Sequence, residues 1–169
     1  YDLDSASLSA RREELASALT DMLTAAVPEN GEEAESSPDE TEENQAASEE
    51  PAGEETAEDT IQLLRALGAY LAENCVWDEE LAGGTAWDAL TQGTATSEGM
   101  AMAFEAACQA EDIECCVVIG RLDGEPHVWN IVTLDGAAYH IDVSRWNAGE
   151  DAVFLMGDEE MWGLYWWDT

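Results

Sequence analysis

Residues 124–146 read GEPHVWNIVTLDGAAYHIDVSRW and contain two apolar runs on either side of an Asp-Gly pair. Asp-Gly between alternating apolar runs is the strongest short-range signal for a β-hairpin, because both residues tolerate the positive φ of a two-residue loop. A loop made of Asp135 and Gly136 pairs Leu134 with Ala137, and the same register pairs His127 with Ser144. The stretch therefore predicts two antiparallel strands whose register is fixed by their loop.

The side chains of these strands divide between two faces, because successive residues of a strand point in opposite directions. One face holds His127, Trp129, Ile131, Thr133, Ala138, His140, Asp142 and Ser144. The other face is apolar apart from Asn130 and resembles a core: Val128, Val132, Leu134, Tyr139, Ile141 and Val143. Asp142 and His127 are diagonal neighbours, about 7–8 Å apart at Cα, which is within reach of an imidazole–carboxylate hydrogen bond.

A carboxylate in this position fixes the imidazole tautomer and stabilises its cation, as a base that activates a nucleophile requires. A His and an Asp on one hairpin face can also form a merely solvated cross-strand pair. The hairpin alone leaves both interpretations open.

A third helix is predicted in residues 93–108, which read GTATSEGMAMAFEAAC. Small and apolar residues recur there at helical spacing and predict a buried stripe: Met100, Ala103, Phe104, Ala107 and Cys108. Ser97 stands where the helix starts. It can act as an N-cap, for which serine is well suited, or present its hydroxyl to a substrate.

The rest of the chain indicates an α+β fold, with N-terminal helices packed on an antiparallel β-sheet. Residues 8–26 have the spacing of an amphipathic helix, and Thr56 with Asp59 forms a capping pair before a second helix. The segment between them is acidic, without aromatic or basic residues, and predicts a disordered loop. We expect an N-terminal helix at 1–27, the acidic low-complexity segment at 28–59, and the main domain at 60–169. In that domain's tail, Asp158 is expected to cap a short helical turn.

Composition excludes several classes of partner. The 169 residues include 39 acidic residues against five arginines and no lysine, for a formal net charge of −34. Such a charge repels phosphates and anionic lipid headgroups, so nucleic acid is not an expected partner. No run of about 18 apolar residues indicates membrane insertion in this segment. We expect an extracellular or cell-surface location, with the cytoplasm as the alternative.

No cofactor and no metal centre is expected, because the chain has neither a glycine-rich phosphate loop nor a recognisable metal-ligand spacing. Four cysteines are present: Cys75, Cys108, Cys115 and Cys116. Their spacing fits no zinc pattern. Buried free thiols are the favoured interpretation, and a bridge between Cys108 and Cys115 stays open.

Three motifs, in order, carry a resemblance to a known family: TSEGMAMAF, then PHVWN, then YHIDV. They resemble the bacterial transglutaminase-like family of the papain-like cysteine protease superfamily, in which a helix opens with a motif like C-E-G-Y-A. Strands like H-A-W-N and Y-H-V-D-V follow. The resemblance covers roughly residues 60–146, and Met100 departs from it by replacing the usual tyrosine.

The resemblance implies a catalytic site made of Ser97, His127 and Asp142. His127 would be the general base, Asp142 would orient it, and Ser97 stands where the family has a nucleophilic cysteine. We expect Trp129 and Trp87 to line the groove and contact a substrate, with packing in the core or at its rim as the alternative, and Glu98 to contact it through its backbone amide. A peptide or protein is the implied ligand.

The serine leaves several functional hypotheses open. The domain can be a degenerate enzyme that binds an extended peptide, or an acyl-transfer enzyme of the protease, amidase or transglutaminase type that uses Ser97. It can also be an engineered Cys-to-Ser variant. In a hypothesis of another class, the acidic segment is the functional part of the chain and acts as a cation-dependent spacer.

Overall fold

The computed structural model describes residues 5–27, 56–78, 80, 82–146 and 153–168. The acidic segment predicted to be disordered lies, up to residue 55, outside this described part. Among the helices of the described part, none has the length and apolar character needed to cross a membrane.

The described part of the chain contains three long α-helices and one short one: α1 (Ser5–Ala26), α2 (Ala57–Asn74), α3 (Ser97–Ala110) and α4 (Asp158–Met161). Helix α2 begins with the predicted capping box, in which Thr56 and Asp59 each bond the other's backbone amide. It therefore starts three residues before the expected domain boundary at residue 60. The expectation for α4 was wrong in one detail: Gly157 is its N-cap, and Asp158 is its first helical residue.

In the described residues, seven strands form two sheets. The short strands β1 (Val76–Trp77) and β2 (Thr94–Ala95) make a parallel pair. The large antiparallel sheet has the order β6-β5-β4-β3-β7. Its strands are β3 (Cys115–Leu122), β4 (Glu125–Leu134), β5 (Ala137–Asp142), β6 (Val153–Met156) and β7 (Tyr165–Trp167). Strand β1 follows α2, and strand β2 precedes α3. A π-helical turn at Asp88–Gln92 lies between the two strands.

The hairpin of β4 and β5 has the predicted register. Leu134 pairs with Ala137 and Asn130 with Ile141, and the loop residues Asp135 and Gly136 have φ angles of 51° and 77°. Both loop residues thus adopt the left-handed conformation that this type of turn requires.

The main hydrophobic core lies between the helices and one face of the sheet. Its buried residues include Met22 and Ala26 of α1, Leu64, Leu67 and Leu71 of α2, Phe104 of α3, and Val132 and Ile141 of the hairpin. The α+β class, with N-terminal helices on an antiparallel sheet, is therefore confirmed. Helix α1 is part of the same core.

A second, smaller core covers the opposite face of the sheet and was not predicted. It is built around Trp129, with Val153, Met161 and Tyr165. Gly120 lies beneath this tryptophan, where a β-carbon would overlap both the indole ring and the Trp166 carbonyl oxygen. Strand β7 can therefore approach β3 closely only because residue 120 has no side chain.

Candidate active site

The start of α3 shows that Ser97 is not the N-cap of the helix. Thr96 is the N-cap, with extended backbone angles, and Ser97 is the first residue of the helix. The first hydrogen bond of the helix runs from Met100 N to Thr96 O. Ser97 is buried and is not the N-cap, so the capping role open to it from sequence does not apply.

A loop holds this helix start in place. The Oδ2 atom of Asp78 accepts hydrogen bonds from the backbone amides of Ala82 and Gly83, at 2.8 and 2.7 Å. The Gly83 carbonyl oxygen in turn accepts from the Thr96 amide and hydroxyl, at 2.8 and 3.2 Å. The amides of Gly83 and Ala82 lower the pKa of Asp78 from its ordinary value of 3.8, because they stabilise the carboxylate.

Glycine is required at position 99, within the first turn of α3. A β-carbon there would lie 2.7 Å from the Gly83 carbonyl oxygen and 2.9 Å from the Thr85 carbonyl oxygen. The glycine of the motif SEG thus allows the loop backbone to pack directly on the first turn of α3.

His127 and Asp142 form the predicted pair. Their Nε2 and Oδ2 atoms are 2.7 Å apart, and both residues are buried. A carboxylate only accepts hydrogen bonds, so the imidazole proton lies on Nε2 and Nδ1 has a free lone pair. In the described part of the chain, Nδ1 makes no hydrogen bond with another side chain or with the backbone. The ring therefore has the tautomer of a general base, with its basic nitrogen available.

Two further residues bind the Asp142 carboxylate. The hydroxyl of Tyr165 donates to Oδ2 and the hydroxyl of Ser144 donates to Oδ1, each at 2.7 Å. Asp142 has no exposed surface, so these donors replace the water that an ionised carboxylate would otherwise need. Sequence reasoning placed Ser144 on the correct face but gave it no role, and it did not identify Tyr165.

Trp129 supports the histidine. Its ring stacks on that of His127, with the centroids 6.2 Å apart and the planes inclined by 24°. Its indole nitrogen donates to Nδ1 of His140 at 2.9 Å, and Nε2 of His140 therefore donates to Asp158 at 3.0 Å. The expectation that Trp129 contacts a substrate finds no support, because its side chain is 0% exposed.

The other two residues expected to contact a substrate are Trp87, which precedes the π-helical turn, and Glu98, the second residue of α3. The indole nitrogen of Trp87 donates to Glu14, and the guanidinium of Arg11 lies 4.4 Å from the centre of its ring. Trp87 thus packs against α1. Glu98 is exposed, and its carboxylate lies beside Gly84.

Helix α3 and strand β4 are joined by a buried side chain. Asn130 is the polar residue of the otherwise apolar face, and its Nδ2 atom donates to the Ala101 carbonyl oxygen at 3.0 Å. This contact lies one helical turn beyond Ser97. Among the hydrogen bonds of the described residues, none joins the Ser97 hydroxyl to His127.

Three of the four cysteines are poorly suited to act as a substitute nucleophile. All four are free thiols, so the bridge left open between Cys108 and Cys115 is not formed. A hydrogen bond with Cys115, together with burial, raises the pKa of Cys108, and burial raises that of Cys75 to about 11. Burial also raises the pKa of Cys116. These three thiols are therefore protonated, and poorly nucleophilic, near neutral pH.

Comparison with known proteins agrees with this architecture. A model of the transglutaminase-like superfamily matches residues 45–146, more than half of the chain. A solved structure described as "Crystal structure of a TGase" matches with a TM-score of 0.56 over 90% of this chain, at 14% identity, a level that shows the fold alone. The match covers 36% of that protein's length. No curated protein matches.

The family match includes the start of α3, the His127–Asp142 pair and the whole β4–β5 hairpin. It ends at Trp146, so it includes Trp129 but not Val153, Met161 and Tyr165, the other buried residues of the second core. The chain belongs to the transglutaminase-like superfamily.

Proposed function

We propose that this chain is a degenerate transglutaminase-like domain, which binds an extended protein segment at the start of α3 and turns it over poorly or not at all. One observation carries the proposal. The His127–Asp142 pair is assembled, yet among the hydrogen bonds of the described residues none joins this pair to Ser97, the residue that the resemblance puts at the position of the family's nucleophile.

The chemistry of the hydroxyl explains the expected loss of turnover. A thiol, with a pKa of about 8.5, can ionise beside an imidazole and a helix N-terminus. A serine hydroxyl cannot ionise there at neutral pH and needs its proton removed during attack by an accurately placed base. An error of about 1 Å in that placement can cost about 100-fold in rate.

The charge of the chain favours a particular kind of ligand. With a net charge of −34, the chain attracts basic segments over acidic ones and speeds their encounter. A segment that contains lysine or arginine, in an extended conformation, is the ligand that we infer.

The Ser97→Cys variant tests the proposal. We expect its new thiol to react with iodoacetamide at pH 7 at least about tenfold faster than any native thiol, because a helix start and a histidine favour the thiolate. The wild-type chain is the matched control, because it measures the background from the four native thiols, three of which have raised pKa values: Cys75, Cys108 and Cys116. The double variant with His127→Ala should lose the enhancement.

Turnover supplies the second measurement. The Ser97→Cys thiol should attack the glutamine side-chain amide of a fluorescent octapeptide that contains glutamine and lysine, forming a thioester and releasing ammonia. Water or a lysine amine then takes the acyl group and frees the thiol, whereas the wild-type chain should bind the peptide without consuming it. A new thiol no more reactive than the native ones would mean that Ser97 does not lie at a nucleophile's position, and the proposal would be wrong.

A second candidate function is acyl transfer by Ser97 itself. The observation that favours it is the Asp142 carboxylate, which is held by three donors and leaves Nδ1 of His127 available. It requires the wild-type chain to be labelled by a fluorophosphonate at Ser97, with the label lost in His127→Ala. An unlabelled wild-type chain that still binds the octapeptide would exclude this second function and favour the first.

A further inference from the structure

A small cavity lies at the end of the chain, away from the start of α3. It is lined by Asp158, Trp162, Tyr165, Trp166 and Trp167 and has a volume of about 130 Å³. Since a water molecule takes about 30 Å³ in the liquid, the cavity holds a group of about four or five non-hydrogen atoms. That is the size of a trimethylammonium group.

The inner wall of the cavity is fixed by its neighbours. The ring of Trp167 lies 4.6 Å from that of His140 and 6.0 Å from that of Trp129, edge to face in both cases. The hydroxyl of Tyr165 is held by Asp142. Both rings are therefore positioned before any ligand arrives, which reduces the entropy lost on binding.

Two of the residues that line the cavity are exposed tryptophans. Trp162 and Trp166 are 70% and 66% exposed, and their rings meet edge to face with the centroids 6.2 Å apart. The chain turns between them at Gly163, where a φ of 102° suits a glycine. This turn brings the two indoles into contact with each other, and both tryptophans are among the residues that line the cavity.

A carboxylate completes the lining. Oδ1 of Asp158 accepts from His140, and the side chain remains 63% exposed, so negative charge faces the cavity and the solvent beside it. Arg121 is the β3 partner of Trp166, but its guanidinium donates to the Gly124 carbonyl oxygen at 2.6 Å and does not line the cavity. In the described part of the chain, no basic side chain lines it.

We propose that this aromatic and acidic cavity, the tryptophan cage, binds a quaternary ammonium group. Aromatic faces attract a cation through their quadrupole, and several rings around one position are the usual means of recognising a charged group that cannot donate hydrogen bonds. A net charge of −34 disfavours an anionic ligand and raises the local concentration of cations. A neutral apolar group would fit the rings but would gain nothing from Asp158.

The tryptophan cage does not depend on the function proposed for Ser97. Its exposed residues belong to neither the helix start nor the His127–Asp142 pair. Tyr165 contributes to both regions, with its ring to the cavity and its hydroxyl to Asp142.

Choline chloride is the probe, titrated into the full chain at constant ionic strength and followed by the NMR signals of the tryptophan indole N–H groups and the choline methyls. We expect saturable 1:1 binding with an upfield shift of the methyl signal. Trp162→Ala and Trp166→Ala should each weaken binding about tenfold. Asp158→Asn, which keeps an oxygen acceptor for His140, should weaken it several-fold. The neutral isostere 3,3-dimethylbutan-1-ol should bind at least about tenfold more weakly than choline.

Trp77→Ala is the matched control, because Trp77 is also an exposed tryptophan, 47% exposed, but does not line the cavity. It should leave choline binding unchanged. Equal binding of choline and its neutral isostere, or equal losses in Trp77→Ala and Trp166→Ala, would overturn the proposal. So would choline shifts that fail to saturate, which would indicate only a diffuse counterion atmosphere. An acetylated trimethyllysine amide separates the sources: tighter binding than choline identifies a methylated protein segment, and weaker binding a free ammonium compound.

Discussion

The Asp142 carboxylate is buried and receives hydrogen bonds from three side chains, those of His127, Tyr165 and Ser144. A buried carboxylate without hydrogen-bond partners is costly, so these donors satisfy its oxygens in the core and fix its direction. The orientation of the imidazole thus depends on a tyrosine from the last strand of the described sheet as much as on the hairpin itself.

Removing one donor measures this dependence. We expect Tyr165→Phe to lower the free energy of unfolding by about 1.5–3 kcal/mol, the range for a hydrogen bond to a charged group. Urea denaturation followed by tryptophan fluorescence provides the measurement.

Tyr139→Phe is the matched control. Tyr139 packs at the edge of the main core, and its hydroxyl makes no hydrogen bond with another described residue, so a change below about 0.5 kcal/mol is expected. Equal effects of the two substitutions would show that the Tyr165 hydroxyl contributes nothing specific to the Asp142 carboxylate.

At the scale of elements, the candidate site is where a loop, a helix and a hairpin meet. The loop after β1 is held by the Asp78 carboxylate and contacts the start of α3 through Gly83. Asn130 then joins the next turn of α3 to β4. The position of Ser97 is therefore determined by two separate connections, one on each side of it.

The loop connection should depend on pH. The amides of Gly83 and Ala82 lower the pKa of Asp78 below 3.8 in the folded chain. A group with a lowered folded pKa contributes stability above its unfolded pKa and loses it as the pH falls through the folded pKa. We therefore expect the amide NMR signals of Ala82 and Gly83 to shift with a midpoint below pH 3.8, as the carboxylate is protonated and the loop loosens.

Asp78→Asn serves as the control for this titration. The variant keeps the oxygen acceptor but has no proton to gain, so the common midpoint of the two amide signals should disappear. A midpoint above 3.8 in the wild-type chain would contradict the hydrogen bonds assigned to Asp78.

The sequence predicted the parts of this arrangement that depend on nearby residues. Asp135 and Gly136 determined the hairpin register, and the register placed His127 beside Asp142. The Thr56–Asp59 capping box was equally local. Tyr165 could not be assigned in this way, because it reaches Asp142 through the pairing of β7 with β3, and no periodicity or turn in the tail indicates that partner.

Two smaller differences have the same origin. Thr96 and Ser97 are both good N-cap residues, and the Gly83 carbonyl, which binds the Thr96 amide, is a tertiary contact that the local sequence does not reveal. Trp129 lies on the face that sequence described as carrying the site, and the second core that buries it comes from β6, α4 and β7. Burial on both faces of a sheet depends on which distant segments return to cover it.

At the scale of the whole molecule, charge is the dominant feature. Twelve of the 39 acidic residues lie between residues 28 and 55, outside the described part, and the rest are spread along the chain. A folded chain of this length has a radius of gyration of about 15 Å. At 10 mM salt the Debye length is about 30 Å, so every charge interacts with most others, whereas at 0.15 M it is about 8 Å and only near neighbours interact.

Salt should therefore stabilise this protein, because repulsion among like charges is stronger in the compact state than in the expanded unfolded chain. Between 10 mM and 0.3 M NaCl we expect the free energy of unfolding to rise by on the order of 1 kcal/mol, an increase of about 2–4 °C in Tm. Thermal unfolding followed by circular dichroism measures the change. The increase in Tm should level off near 0.3 M salt and should be equal for NaCl and KCl. A Tm that kept rising linearly to 1 M, or that fell, would show that self-repulsion does not limit the stability of this chain.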